Sequence, residues 1–160
     1  MQGHLEHTIP RELHYVEATL LSEAFPARLA AASSSLGEGT LLSVVRSGSS
    51  VVRRAHFRVG GAAKVGPLGR FGEVGWTEEV TWDTATHSAI VTVVPDLPTP
   101  LKDRIHCEAT YALGPLGHET VRAIDVTIVV DWPLVGASVA AHVLGLLRDV
   151  FDDEARLLAE

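Results

Sequence analysis

The segment VGASVAAHVLGLLRDVF, residues 135–151, sets the strongest condition on what this chain can fold into. At roughly 100° per residue, Val139, Val143, Leu144, Leu146, Leu147, Val150 and Phe151 fall on one side of a helix and cover about half its circumference. Ser138, His142, Gly145, Arg148, Asp149 and Asp152 occupy the other side. The run is too short and too often charged to span a bilayer, which takes about 20 apolar residues. So wide an apolar face has to lie against a second large apolar surface, and the rest of the chain has to supply it.

The chain has 160 residues, 46% of them hydrophobic and 21% charged, enough for one domain with a sizeable core and unlike a disordered segment. Its formal net charge of −7 argues against nucleic acid or an anionic membrane as the main partner, since both require basic patches. Arg53, Arg54 and Arg58 form the one basic cluster and read as a solvated strand face. Cys107 is the single cysteine, which rules out an internal disulfide. The start, MQGHLEHTIP, lacks a basic stretch followed by an apolar run, so a cytoplasmic protein without a signal peptide is expected.

Residues 4–8 are predicted as a first strand. Pro10 and Glu12 suit the opening turn of a helix that carries Leu13, Val16, Leu20 and Ala24, with Pro26 as its stop. A second short helix, PARLAAAS, is expected to end at Gly37 and Gly39. From there the period changes to two. Strands are predicted at 41–46, 50–59, 76–83, 88–94, 104–113 and 120–132, with WDTATHS as a hairpin connection. RIHCEATYAL shows the alternation best: Ile105, Cys107, Ala109, Tyr111 and Leu113 point one way, and Arg104, His106, Glu108 and Thr110 the other. RAIDVTIVVDW repeats it, with Ile124, Val126, Ile128, Val130 and Trp132 on one side. The order is an α+β one: a strand, two short helices, six strands and a long helix over 134–158. One apolar sheet face and one apolar helix face are left to pack together.

Sequence motifs for chemistry are few. VGGAAKVGPLGRFGEVG lacks the Gly-Lys-Ser/Thr and the strand–helix context that phosphate loops need, and reads as a loop between strands, near a cavity mouth. His4 and His7 in HLEH face opposite sides of a strand and cannot share a metal; no Cys/His set or HExxH is present, so no metal or other cofactor is expected. Ser33-Ser34-Ser35 lacks a nucleophile elbow, and Cys107 sits on an inward face as a small hydrophobe. Three charged residues fall among apolar neighbours: Arg53 beside Val51, Ala55 and Phe57; Glu78 beside Trp76, Val80 and Trp82; Glu154 one turn beyond Val150. Either they occupy frayed ends or the faces run the other way round, or they line a pocket and orient a ligand's polar end.

The order of elements, with the ending VTIVVDWPLVGASVAAHVLGLLRDVFDDEARLLAE, resembles the START-like (SRPBCC, helix-grip) superfamily, and among it uncharacterised bacterial members. Their last strand leads through a Pro-hydrophobic-Gly turn into the closing helix. The resemblance implies a single domain over 1–160, with a curved seven-stranded antiparallel sheet wrapped around the C-terminal helix and a cavity between them. It also implies a hydrophobic or amphipathic small molecule or lipid as partner, bound or transported, without stable membrane insertion. The superfamily includes polyketide cyclases, so a cyclase/dehydratase-like enzyme using the same cavity is the alternative, and an interaction domain with a solid core a third reading. No universal catalytic motif comes with the fold, and no catalytic residue is assigned. Residues expected to border the cavity are Arg53, Phe57, Glu78, Trp82, Tyr111, Leu147, Phe151 and Glu154.

Overall fold

The computed structural model describes residues 1–61, 66–71 and 73–160, the side chains of Arg70 and Phe71 excepted. Its strands are β1 (Gln2–Ile9), β2 (Leu36–Ser47), β3 (Ser50–Val59), β4 (Gly75–Asp83), β5 (Ser88–Pro95), β6 (Ile105–Leu116) and β7 (Glu119–Val130). The helices are α1 (Leu13–Leu20), α2 (Phe25–Ala32) and α3 (Gly136–Leu158). On β6 the residues Ile105, Cys107, Ala109, Tyr111 and Leu113 are buried while His106, Glu108 and Thr110 are exposed, as the two-residue period requires. Every neighbouring pair is antiparallel, and the order across the sheet is β1-β7-β6-β5-β4-β3-β2. β1 and β2, adjacent in sequence, are therefore opposite edges, and α1 and α2 cross between them.

α3 supplies the cover that its own composition demands. Leu144, Leu147, Val150, Phe151, Leu157 and Leu158 are buried in one core with Val80, Trp82, Tyr111, Ile124, Val126 and Ile128 of the sheet's inner face. The seven-stranded sheet, long final helix and pair of short helices after the first strand are those of the helix-grip arrangement.

Three local expectations are corrected. The first helix ends at Leu20, short of Pro26, because arginines take the carbonyls at its end: Arg53 donates to Leu20 O at 2.5 Å and Arg46 to Leu21 O at 3.0 Å. Gly37 and Gly39 do not close the second helix but lie within β2, which begins at Leu36. A Cβ at Gly39 would collide with the Pro26 carbonyl and stand 2.9 Å from Phe57 Cε1, so the glycine lets α2 lie directly on the strand. Irregularities in β2–β3 pairing between Leu36 and Glu38 and between Leu41 and Ser43 bend this edge. Finally, β7 stops at Val130, and Trp132 is buried with Leu68, Ile105 and Val139 in a second cluster, against the first half of α3.

Two outcomes test this packing. A chain truncated after Asp131 is expected to lose cooperative thermal unfolding in calorimetry, since the inner sheet face would lose its cover. Gly39→Ala is expected to lower stability by about 1–3 kcal/mol in urea unfolding, through overpacking against α2.

Candidate functional site

Strand register brings the first pair of charges together. Arg53 on β3 stands opposite Val80 on β4, so Glu78, two residues from Val80, is its diagonal neighbour on the same face. Arg53 Nη2 donates to Glu78 Oε1 at 3.0 Å, and its guanidinium lies 5.6 Å from the centre of the Phe25 ring. Arg53 is buried, and the Glu78 side chain is only 16% exposed, so both face inward with Trp76, Val80 and Trp82.

A second pair joins the sheet to α3. Tyr111 on β6 stands opposite Ile124 on β7, which places Arg122 diagonally beside it. Tyr111 donates its hydroxyl to Glu154 Oε1 at 2.7 Å, and Arg122 donates to the same oxygen. Arg122 also donates to Phe151 O at 2.7 Å and lies 5.6 Å from the Tyr111 ring centre. Its side chain is 0% exposed. Beyond it, on β1, His7 Nδ1 is 3.2 Å from Arg122 Nη2, and His7 Nε2 is 2.7 Å from Asp152 Oδ1. Arginine only donates, so His7 Nδ1 is the acceptor and its Nε2–H faces Asp152. Arg122 was missed by sequence reasoning, although the alternation that turns Ile124 inward turns residue 122 inward too.

Between the two pairs lies a cavity of about 30 Å³, room for one or two water molecules. Arg53, Glu78, Trp82, Tyr111, Phe151 and Glu154 line it, six of the eight residues expected to do so. Leu20 and Leu21 close it at the corner after α1, and Val80 and Val91 complete its apolar wall. Trp82, Tyr111 and Phe151 meet edge to face, with ring centres 6.3 and 5.7 Å apart. Phe57 and Leu147 are buried elsewhere in the core, Phe57 against Trp76 at 5.7 Å between ring centres. Outside the lining, Glu17 Oε2 accepts from Trp82 Nε1 at 2.9 Å and lies 2.8 Å from His87 Nδ1, tying α1 to the β4–β5 turn.

Burial pushes the Glu78 carboxyl above its ordinary range; Arg53 opposes this and the Glu154 charge adds to it. Burial and the Glu154 charge hold the Tyr111 phenol well above its ordinary value. Burial also pushes the Cys107 thiol up to about 12, so thiolate is scarce at neutral pH. His4 is exposed and 2.7 Å from Asp125, on the opposite face from His7. Among the described residues no three His, Cys, Asp or Glu side chains gather as a metal site. Residues 62–65 and 72 of the glycine-rich segment lie outside the described residues. Its described turn, Gly66–Phe71, places Leu68 against Val139, on the half of α3 away from the cavity.

Residues 4–160 match a family described as "Protein of unknown function (DUF2505)". The chain belongs to this family. No curated protein matches the DUF2505 chain. Among solved structures it is similar to TTHA0849 from Thermus thermophilus, with a TM-score of 0.69 and 16% identity over 99% of this chain and 97% of that one. A START superfamily protein from Mycobacterium smegmatis gives 0.64 and 14%, over 98% and 96%. The Zhui aromatase/cyclase from Streptomyces sp. R1128 gives 0.62 and 12%, over 99% and 92%. The DUF2505 chain thus has the START-like fold.

Two variants probe the electrostatics. A carboxyl with a raised folded value contributes stability that is fully present below about 4.5, its ordinary value, and is lost as pH rises through the raised value. The melting temperature of Glu78→Gln relative to the unaltered protein is therefore expected to climb with pH across that window; a flat difference would contradict the burial of a titrating Glu78. Arg122→Met leaves Glu154 buried without its cation and is expected to cost about 3–5 kcal/mol in chemical denaturation.

Proposed function

We propose that residues 1–160 act as one ligand-binding domain that holds a hydrophobic or amphipathic small molecule between the sheet and α3. The observation that carries this reading is an otherwise apolar cavity flanked by two buried Arg–Glu pairs, Arg53–Glu78 and Arg122–Glu154. Desolvating paired ions costs about as much as their attraction returns, and well-packed apolar residues usually stabilise an interior at least as well. A core selected for stability alone has little use for such groups. A site that must orient the polar end of a ligand does. The START superfamily protein and the aromatase/cyclase named above share the fold and favour the same reading. The apolar walls suit a lipid-like cargo, and the acidic composition and single buried cysteine fit a carrier working in the cytoplasm.

The cavity has room for only one or two waters, so a larger occupant has to displace part of the wall. The Leu20–Leu21 corner, whose carbonyls are held by Arg53 and Arg46, is the part that we propose moves. Trp82, one of three tryptophans, borders the space and reports on such an occupant. Titration with long-chain alcohols, sterols and flat aromatic compounds is expected to change tryptophan emission saturably, and Trp82→Phe to remove most of that change. An unresponsive protein, with native mass spectrometry of material from its own host showing no bound small molecule, would favour an interaction domain with a solid core.

A second reading has its own support. The Glu78 carboxyl, which burial makes harder to ionise, stands where it would meet a bound molecule and suits a general acid, as a cyclase/dehydratase-like enzyme would use. Glu78→Gln separates the two: a carrier keeps its affinity, whereas an enzyme binds substrate and turns it over at least about a hundredfold more slowly.

A further inference from the structure

We propose that the cavity selects ligands whose polar end is a neutral hydroxyl or carbonyl and rejects carboxylates and amines of the same skeleton. The inference rests on the binding reading above and adds the chemistry of the recognised group. Arg53, Glu78 and Glu154 are the charged groups on the wall, and Arg122 lies directly behind Glu154 and Tyr111. Two guanidinium groups and two carboxylates sum to zero, and each charge already has its counter-ion.

A carboxylate brought into this space meets Glu78 and Glu154 where little water remains to screen the repulsion. An ammonium meets Arg53 at the same wall and gives up its hydration without finding an unmatched anion. A neutral oxygen avoids both penalties, and one nitrogen of Arg53 has no acceptor yet. Arg53 uses Nη1 on Leu20 O and Nη2 on Glu78, while its Nε is buried without an acceptor. An orphaned buried donor costs free energy that a ligand oxygen recovers, at no cost in added charge. Tyr111 cannot take this part, because its proton is already given to Glu154. The rest of the lining includes Trp82, Phe151, Val80 and Val91, which favours a flat apolar body attached to that oxygen.

The test uses one ring with three polar ends, measured by calorimetry at pH 8: 2-naphthol, 2-naphthoate and 2-naphthylmethylamine, with naphthalene as reference. 2-Naphthol is expected to bind at least about tenfold more tightly than each charged probe. Glu78→Gln removes one negative charge and is expected to improve 2-naphthoate binding by about tenfold while changing 2-naphthol little. Arg53→Lys keeps the charge but has no Nε donor in that position, and is expected to reduce the preference for 2-naphthol over naphthalene; it decides the matter should Glu78→Gln fail to fold. Equal or tighter binding of a charged probe, or of naphthalene, overturns the selection by polar end and leaves the binding reading standing. If neither these probes nor the alcohols, sterols and flat aromatics bind, the binding reading falls and the inference with it.

Discussion

Seating α3 on the sheet encloses Glu154 and Glu78, and the interior is organised around matching those two charges. Glu154 lies on the apolar arc of α3 and would face the dry side of the sheet with nothing to compensate it, were Arg122 and Tyr111 not opposite. Because the three residues come from α3, β7 and β6, the contact fixes where the helix sits along the sheet as well as neutralising it. Arg53 does the same for Glu78 and reaches further, to the carbonyl that ends α1. One set of charges therefore positions the final helix, and the other positions the helical corner across the cavity.

The two halves of α3 consequently have different surroundings. Its first half packs Val139 with Trp132, Leu68 and Ile105 in a cluster of apolar side chains. Its second half meets the sheet through Phe151 and Glu154, where rings and ion pairs leave free space. Apolar side chains of varied shape fill a volume closely, whereas paired guanidinium and carboxylate groups must keep hydrogen-bonding geometry. The gap sits where geometry, not volume, dictates the packing.

Much of the fold was legible because one physical signal repeats in it. Alternation on β6 and β7 reports burial on one face, and the wide apolar arc of α3 reports the cover for that face. Where the signal was lost, a particular contact explains it. Gly37 and Gly39 read as a helix stop because glycine has no side chain to show an alternating pattern; only the approach of α2 to within a Cβ's width explains their place in β2. The end of α1 was invisible because its caps are Arg53 and Arg46, distant in sequence. At the cavity, Arg53, Glu78 and Glu154 stood out as charges among apolar neighbours, and the structure gathers them. Arg122 escaped notice because it lies in the first few residues of its strand, where a charge ordinarily points to solvent. Phe57 and Leu147 were inward-facing as read, but facing inward does not say which part of a core is filled and which is open.

On the proposed binding reading, the Leu20–Leu21 corner gives one arginine, Arg53, a part in both closure and recognition. The corner is held by hydrogen bonds from charged donors to two main-chain carbonyls, and such bonds contribute roughly 1.5–3 kcal/mol each. Apolar packing alone would resist opening in proportion to the area exposed. A hydrogen bond to a carbonyl can instead be exchanged for one to another oxygen with little net change. An oxygen-bearing ligand reaching Arg53 thus offsets part of the cost of displacing Leu20 O, whereas a purely apolar molecule leaves the guanidinium short of an acceptor. On that reading, opening the corner frees Arg53 Nη1 beside the unpartnered Nε, so closure and recognition of a ligand's oxygen meet at one guanidinium.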